Sequence, residues 1–304
     1  MRKRYCIFEN IILTVYVIMN KINRDKVLQI DPEYDDNEEL IVKPMDIKKK
    51  ELSKGIDEKF PQHPCTLYVP SSRGSGKTTL FVYLLTNPYK KFFNRVYIFS
   101  ATVKEDKAWK KLKLDGDRLF TQYSDAAFDA VINEIRDAED EKALIIIDDM
   151  TGTSIMTKNN ALTRFLFIHR HVPSDDTGTS LWIASHQYKS VAPNVRNNFT
   201  DICMFSSFSD MELQSIADDN KGEMTYKDFF QLFKLCTNPK YNMMYIKRLE
   251  PMETRFRRNF NTILRLKYVS INEINKDDLS DYSDESDESD YSDYSDYIED
   301  DESN

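Results

Sequence analysis

The first chemical signal is the run SSRGSGKT, Ser71 to Thr78, set between a short apolar run, TLYVP, and a segment with helical spacing. A glycine-rich loop closed by Lys and Thr, between a strand and a helix, is a phosphate cradle, the P-loop. Gly74 and Gly76 let the backbone approach phosphate oxygens, and the start of the following helix adds unpaired N–H groups and the positive end of its dipole. Lys77 is expected to reach the β- and γ-phosphates of ATP and Thr78 to ligate Mg2+. Ser72, Arg73, Gly74, Ser75, Gly76, Lys77, Thr78 and Thr79 are therefore the nucleotide-binding candidates. Such loops usually open with glycine. Ser71 stands there instead, outside the GSGKT core.

The second signal is a pair of acids, Asp148 and Asp149, closing the apolar run ALIII. A carboxylate where a buried strand ends, beside the P-loop, can hold Mg2+ through water, which is the role expected of Asp148 with Thr78. Asp149 is then placed to orient and deprotonate an attacking water, provided that it stays ionised. The roughly seventy residues between the two motifs leave room for two strand–helix units. The other nucleotide-binding classes fit less well: there is no NKxD base-reading motif and no LSGGQ-like signature, and a kinase with an arginine-rich lid is disfavoured though not excluded, since only Arg170 and Arg196 are near the sheet.

Three further residues complete the catalytic candidates. Gln187, just past the run SLWIAS, is expected to contact the γ-phosphate or the attacking water and to report its loss, while His186 beside it reads as structural. Arg170 and Arg196 are candidates for an arginine finger, because a planar guanidinium grips phosphate oxygens bidentately.

These residues need a scaffold that brings the ends of several strands together. Apolar runs at 66–70, 95–100, 143–149, 180–185 and 201–207 alternate with helical patterns at 77–86, 125–138 and 160–170. Uninterrupted apolar strands alternating with helices indicate an α/β fold with a mostly parallel sheet covered by helices on both faces. Helices at 211–218 and 225–236 and late strands at 241–249 and 262–266 are expected after it. The organisation read from this is a leader and charged arm over 1–60, a P-loop core over 61–250, a basic extension over 251–275, and a Ser/Asp/Glu/Tyr tail over 276–304 that cannot bury a core.

The net charge of −9 conceals two regions. The segment after Lys276 holds 14 of the 51 acids and no base, so 37 acids face 42 bases in the remainder, a balance of about +5. A mildly basic body suits a nucleic-acid partner. Two basic stretches are candidates for its backbone: Lys104, Lys107, Lys110, Lys111 and Lys113 around Trp109, and Arg255, Arg257, Arg258, Arg265 and Lys267. In the tail, Ser283 and Ser286 each precede Asp-Glu, a pattern for acidophilic kinases. Cys6, Cys65, Cys203 and Cys236 show no ligand spacing and read as reduced thiols. The apolar stretch from Ile11 to Met19 is too short for a bilayer, which needs about 20 residues. It reads as a dispensable leader or an over-extended start, in which case Met19 is the initiator.

Taken in order, GSGKT, IIIDD, the IHRH helix end, IASHQYKSVAPNVRNNFTD and ICMF resemble the viral genome-packaging ATPases of the FtsK–HerA superfamily, in the poxvirus-type branch of large DNA viruses and virophages. The resemblance spans about residues 64–249. It implies a RecA/FtsK-like P-loop NTPase with ATP and Mg2+ as ligands. Asp148 would bind the metal, Asp149 would activate water, Gln187 would sense nucleotide, and Arg170 would act in trans. It further implies a ring, expected to be a hexamer, that translocates double-stranded DNA into a preformed capsid, with capsid proteins as partners, no membrane insertion, and a place in the host cytoplasm or the virion. Two other functions fit the same motifs: a DNA-remodelling motor of helicase or segregation type, and an ATP-controlled docking switch with slow turnover.

Overall fold

The computed structural model describes residues 7–9, 12–15, 52–114, 116–150 and 160–266. The leader's remainder, Met19, the charged arm up to residue 51, Lys267 and the acidic tail lie outside the described residues. Among the described residues eleven strands form one sheet: β1 (Ile7–Glu9), β2 (Ile12–Val15), β3 (Thr66–Pro70), β4 (Arg95–Ser100), β5 (Leu119–Phe120), β6 (Ala143–Asp148), β7 (Thr179–Ser185), β8 (Asp201–Met204), β9 (Met244–Lys247), β10 (Phe256–Arg258) and β11 (Thr262–Leu266). Their order is β1-β2-β11-β10-β9-β8-β3-β7-β6-β4-β5. From β8 to β5 every neighbouring pair is parallel, as the uninterrupted apolar runs require. β9, β10 and β11 extend the sheet antiparallel, and β2 joins β11 in parallel.

Every residue of β3, β6, β7 and β8 is buried, so both faces of the sheet are covered. Successive side chains point to opposite faces, which divides the core in two. Tyr68, Ile145, Ile147, Leu181 and Ile183 belong to one apolar cluster; Leu67, Val69, Leu144, Ile146 and Trp182 belong to the other. Helix α1 (Lys77–Thr86) covers the second face with Leu80, Phe81 and Leu84. Helices α2 (Asp125–Arg136), α3 (Ala161–Ile168), α4 (Asp210–Asn220) and α5 (Tyr226–Thr237) cover the first with Phe128, Phe165, Leu213, Phe229 and their neighbours.

The helices differ at their starts. α2, α3, α4 and α5 are each capped by a side chain, from Ser124, Asn160, Ser209 and Thr225. α1 has no side-chain cap; Gly76 occupies the position with φ 113°. A side-chain cap would consume N–H groups that a phosphate needs. Helix propensity and hydrophobic spacing predict α1 and α2 closely, but the expected helix over 160–170 stops at Ile168, and 169–171 tighten into a 3-10 turn. The run 241–249 forms a strand only over Met244–Lys247. β5 and β10 are too short for periodicity to signal.

Register aligns the strand ends that matter. Pro70 pairs with Ser185, Asp148 with Ala184, and Ser100 with Asp148. The carboxyl ends of β3, β7, β6 and β4 therefore form one edge of the sheet, where ligands of parallel α/β folds bind.

Candidate functional site

The P-loop leaves β3 into α1. Gly74 and Gly76 have φ of 77° and 113°, a region that side chains disfavour. A Cβ on Gly74 would meet nothing within 4 Å, so its need for glycine is conformational and not spatial. Ser71 has no positive φ, which explains why glycine is dispensable at the head of the motif. It is fully buried, its N–H donates to Ser185 O at 2.9 Å, and its Oγ accepts from the Phe205 N–H at 3.2 Å. Ser72 is tied to the loop after β8 by its N–H, which donates to Ser207 Oγ at 3.0 Å.

Lys77 is buried, and its Nζ donates to Ser71 O at 2.7 Å and to Ser72 O at 3.0 Å. Loss of hydration pushes its pKa below the ordinary lysine value, against the pull of Asp149 and Asp148. β7 separates β3 from β6, so the strand of the acid pair is not adjacent to that of the P-loop. Two strand spacings amount to about 10 Å. Thr78, in the first turn of α1, closes this gap: its Oγ1 donates to Asp148 Oδ2 at 2.8 Å. Asp148 is 3% exposed, and its other oxygen, Oδ1, is buried with no hydrogen-bond partner. Burial raises its pKa against the Thr78 hydrogen bond and the Lys77 charge, with Asp149 and Asp106 adding repulsion. A buried carboxylate with an orphaned oxygen beside a threonine hydroxyl fits a divalent cation that prefers oxygen ligands.

Asp149 has φ 59°, left-handed backbone that Asp tolerates better than most residues. Its N–H donates to Ala184 O, 3.4 Å away, and its Oδ1 lies 2.6 Å from His186 Nε2. The other imidazole nitrogen, Nδ1, is 3.4 Å from Lys77 Nζ. His186, read as structural from sequence, thus stands in the site between two catalytic candidates.

These groups line one cleft of about 1390 Å3. Arg73, Gly74, Ser75, Gly76, Lys77, Thr78 and Thr79 form its floor, Asp148, Asp149 and His186 one wall, and Tyr83, Tyr241 and Phe260 an aromatic rim. Thr102, Glu105 and Asp106, from the loop after β4, also face it. Sequence reasoning missed that loop and the rim, because both reach the cleft only through the register of the sheet and the return of the chain after α5.

Three expected residues are elsewhere. Gln187 is exposed and outside the lining of the cleft; its carbonyl accepts hydrogen bonds from Tyr68, Ser185 and Ser190. The chain bends at the end of β7, so strand alternation does not carry past Ser185, and His186 takes the inward place expected of Gln187. Arg196 is 9% exposed: its Nε donates to Asp219 Oδ2 at 3.1 Å, its guanidinium donates to Val191 O at 2.8 Å and it lies over the Tyr188 ring. An arginine so engaged is not available to a neighbour, which corrects its place among the finger candidates. Arg170 is exposed at the amino end of β7, the length of that strand, about 20 Å, from the cleft edge. Among the described residues no group of histidine, cysteine and acids forms a metal site, and Cys65, Cys203 and Cys236 are free and buried.

The family model for the poxvirus A32 protein matches residues 54–248. No curated protein matches the sequence. Solved structures similar to the chain include the genome packaging NTPase B204 of Sulfolobus turreted icosahedral virus 2 in complex with AMP, with 16% identity over 67% of this chain and 98% of that one and a TM-score of 0.47. The same NTPase with sulfate gives 16% identity over 62% and 94%, TM-score 0.48. The pCW3 conjugation coupling protein TcpA gives 15% identity over 60% and 57%, TM-score 0.41.

Proposed function

The chain belongs to the poxvirus A32 protein family, and from that premise we propose that it is an ATPase that translocates double-stranded DNA, packaging a viral genome into a preformed capsid. The observation that carries this reading is the meeting of Lys77, the Thr78–Asp148 contact and Asp149 in one cleft at the uncapped start of α1.

Each residue has a task. The free amides of the P-loop and Lys77 bind the phosphates, Lys77 exchanging the carbonyls of Ser71 and Ser72 for phosphate oxygens. Thr78 and Asp148 would hold Mg2+, which would supply positive charge to stabilise the phosphates. Asp149 receives the proton of the attacking water on Oδ2, since Oδ1 faces His186. Arg170 supports assembly in a ring: it is exposed at the end of β7 opposite the cleft, and head-to-tail contacts bring opposite surfaces of successive subunits together. Its guanidinium then completes the site of the neighbour.

DNA is gripped through its backbone, without reading sequence. Lys104, Lys107, Lys110, Lys111 and Lys113 are all exposed, next to the cleft loop, while Trp109 is buried and serves the core. The second basic stretch is committed internally: Arg255, Arg257, Arg258 and Arg265 donate to the carbonyls of Glu250, Thr254, Asn238 and Glu253. The lysine cluster is therefore the DNA contact. Capsid proteins are the further partner, and the site of action is the infected cell's cytoplasm or the virion. No helix among the described residues is long and apolar enough to cross a membrane.

The test is ATPase activity with and without double-stranded DNA, for the wild type and Asp149→Asn, followed by a capsid-filling assay. Strong stimulation, an inactive variant that still binds nucleotide, and filled capsids are expected. Slow turnover indifferent to DNA would replace this reading with a docking switch. Stimulation without filling would replace it with another DNA-remodelling motor.

A further inference from the structure

The assignment of Asp149 as the base that accepts the water proton is the premise here; from it we infer that His186 is a positioning residue, holding Asp149 in place and releasing Lys77 when a phosphate claims the ammonium. A carboxylate only accepts hydrogen bonds and an ammonium only donates. Nε2 is therefore the ring nitrogen that donates to Asp149 Oδ1, at 2.6 Å, while Nδ1 faces Lys77 Nζ at 3.4 Å.

The two ends are unequal. A contact of 2.6 Å is short and charge-assisted, whereas 3.4 Å is at the outer limit of a hydrogen bond. The lysine end yields first. Lys77 keeps its phosphate role by turning from imidazole to ligand, and the hold on Asp149 persists. That hold matters because Asp149 sits on left-handed backbone, φ 59°, after the last residue of β6, with a long 3.4 Å hydrogen bond from its N–H to Ala184 O. Little else in the described structure orients its half-exposed carboxylate. His186 also ties two strand ends, β6 through Asp149 and β7 through its own backbone.

The experiment compares His186→Ala, His186→Gln, His186→Asn and Asp149→Asn in the full-length protein. kcat and KM for MgATP are measured, with the affinity for a fluorescent non-hydrolysable ATP analogue and the melting temperature. Displacing a catalytic group by about 1 Å can cost on the order of 100-fold, so His186→Ala should lower kcat about 10- to 100-fold with KM, analogue affinity and melting temperature unchanged. Glutamine can place its amide N–H where Nε2–H stood and should restore most of kcat; asparagine reaches only the Nδ1 position and should not. Wild-type kcat in His186→Ala, an equal loss of analogue affinity, or a glutamine variant no better than alanine would overturn the inference. Activity surviving in Asp149→Asn would overturn the premise instead, whatever the His186 variants do.

Discussion

Thr78 and Asp148 are joined by a 2.8 Å hydrogen bond, Oγ1 to Oδ2, across the strand that separates the P-loop from the acid pair. On the function proposed above, the cation site lies between them. Asp148→Asn should lower Mg2+-dependent kcat by about 100- to 1000-fold, the scale for losing one preorganised electrostatic group. It should leave metal-free nucleotide binding intact. Thr78→Ser, which keeps the hydroxyl, should stay within an order of magnitude of the wild type, while Thr78→Ala should follow Asp148→Asn. Steady-state kinetics over a Mg2+ titration measures this, and equal activity in Thr78→Ala and the wild type would refute the site.

The two arginines read alike in sequence but should behave oppositely. Arg170→Ala should melt like the wild type yet lose ATPase activity, and inactive Asp149→Asn subunits, which retain Arg170, should rescue it when mixed in. Arg196→Ala should be a stability variant. Removing one partner of a fully buried pair costs about 3–5 kcal/mol, and the partial exposure of Asp219 reduces that to about 2–3 kcal/mol. At this domain size the loss lowers Tm by roughly 5–10 °C. Thermal denaturation beside a subunit-mixing assay separates the two.

Replacing Lys104, Lys107, Lys110, Lys111 and Lys113 by glutamine should leave basal ATPase unchanged and reduce DNA stimulation. If two phosphate contacts are lost, the slope of log affinity against log salt should fall by about 2. Fluorescence anisotropy with duplex DNA at several salt concentrations gives that slope; an unaltered slope would exclude this surface.

Acid should destabilise the fold through two buried histidines. His63 and His169 have pKa values lowered to about 4 by burial, from an ordinary 6.5. The neutral ring of His63 is held by Thr177 O and Ser180 Oγ, that of His169 by Thr179 O. Between pH 6.5 and 4 the unfolded chain binds protons that the folded chain refuses, so stability falls as pH falls through that window. Above it the contribution is fully present. At 1.36 kcal/mol per pKa unit each histidine contributes up to about 3 kcal/mol. Urea denaturation across pH 4–7 should show the slope, and it should be halved in His169→Gln.

The residues themselves determined the chemistry of this chain. GSGKT between a strand and a helix carries its own local geometry for phosphate, and two acids closing an apolar strand point to a metal ligand and a base beside it. Uninterrupted apolar runs likewise implied a parallel sheet buried on both faces. Three matters were decided only by tertiary structure. The insertion of β7 between β3 and β6 put Ala184 and Ser185 at the cleft edge, and the bend after them chose His186 over Gln187 as the residue facing it. Burial and the Asp219 pairing withdrew Arg196 from the candidates while leaving Arg170 exposed, although both stand near strand ends in the sequence. The aromatic rim comes from residues as distant as Tyr83 and Phe260. Spacing along a chain reports contacts within one element; strand order, register and burial depend on every element packing at once.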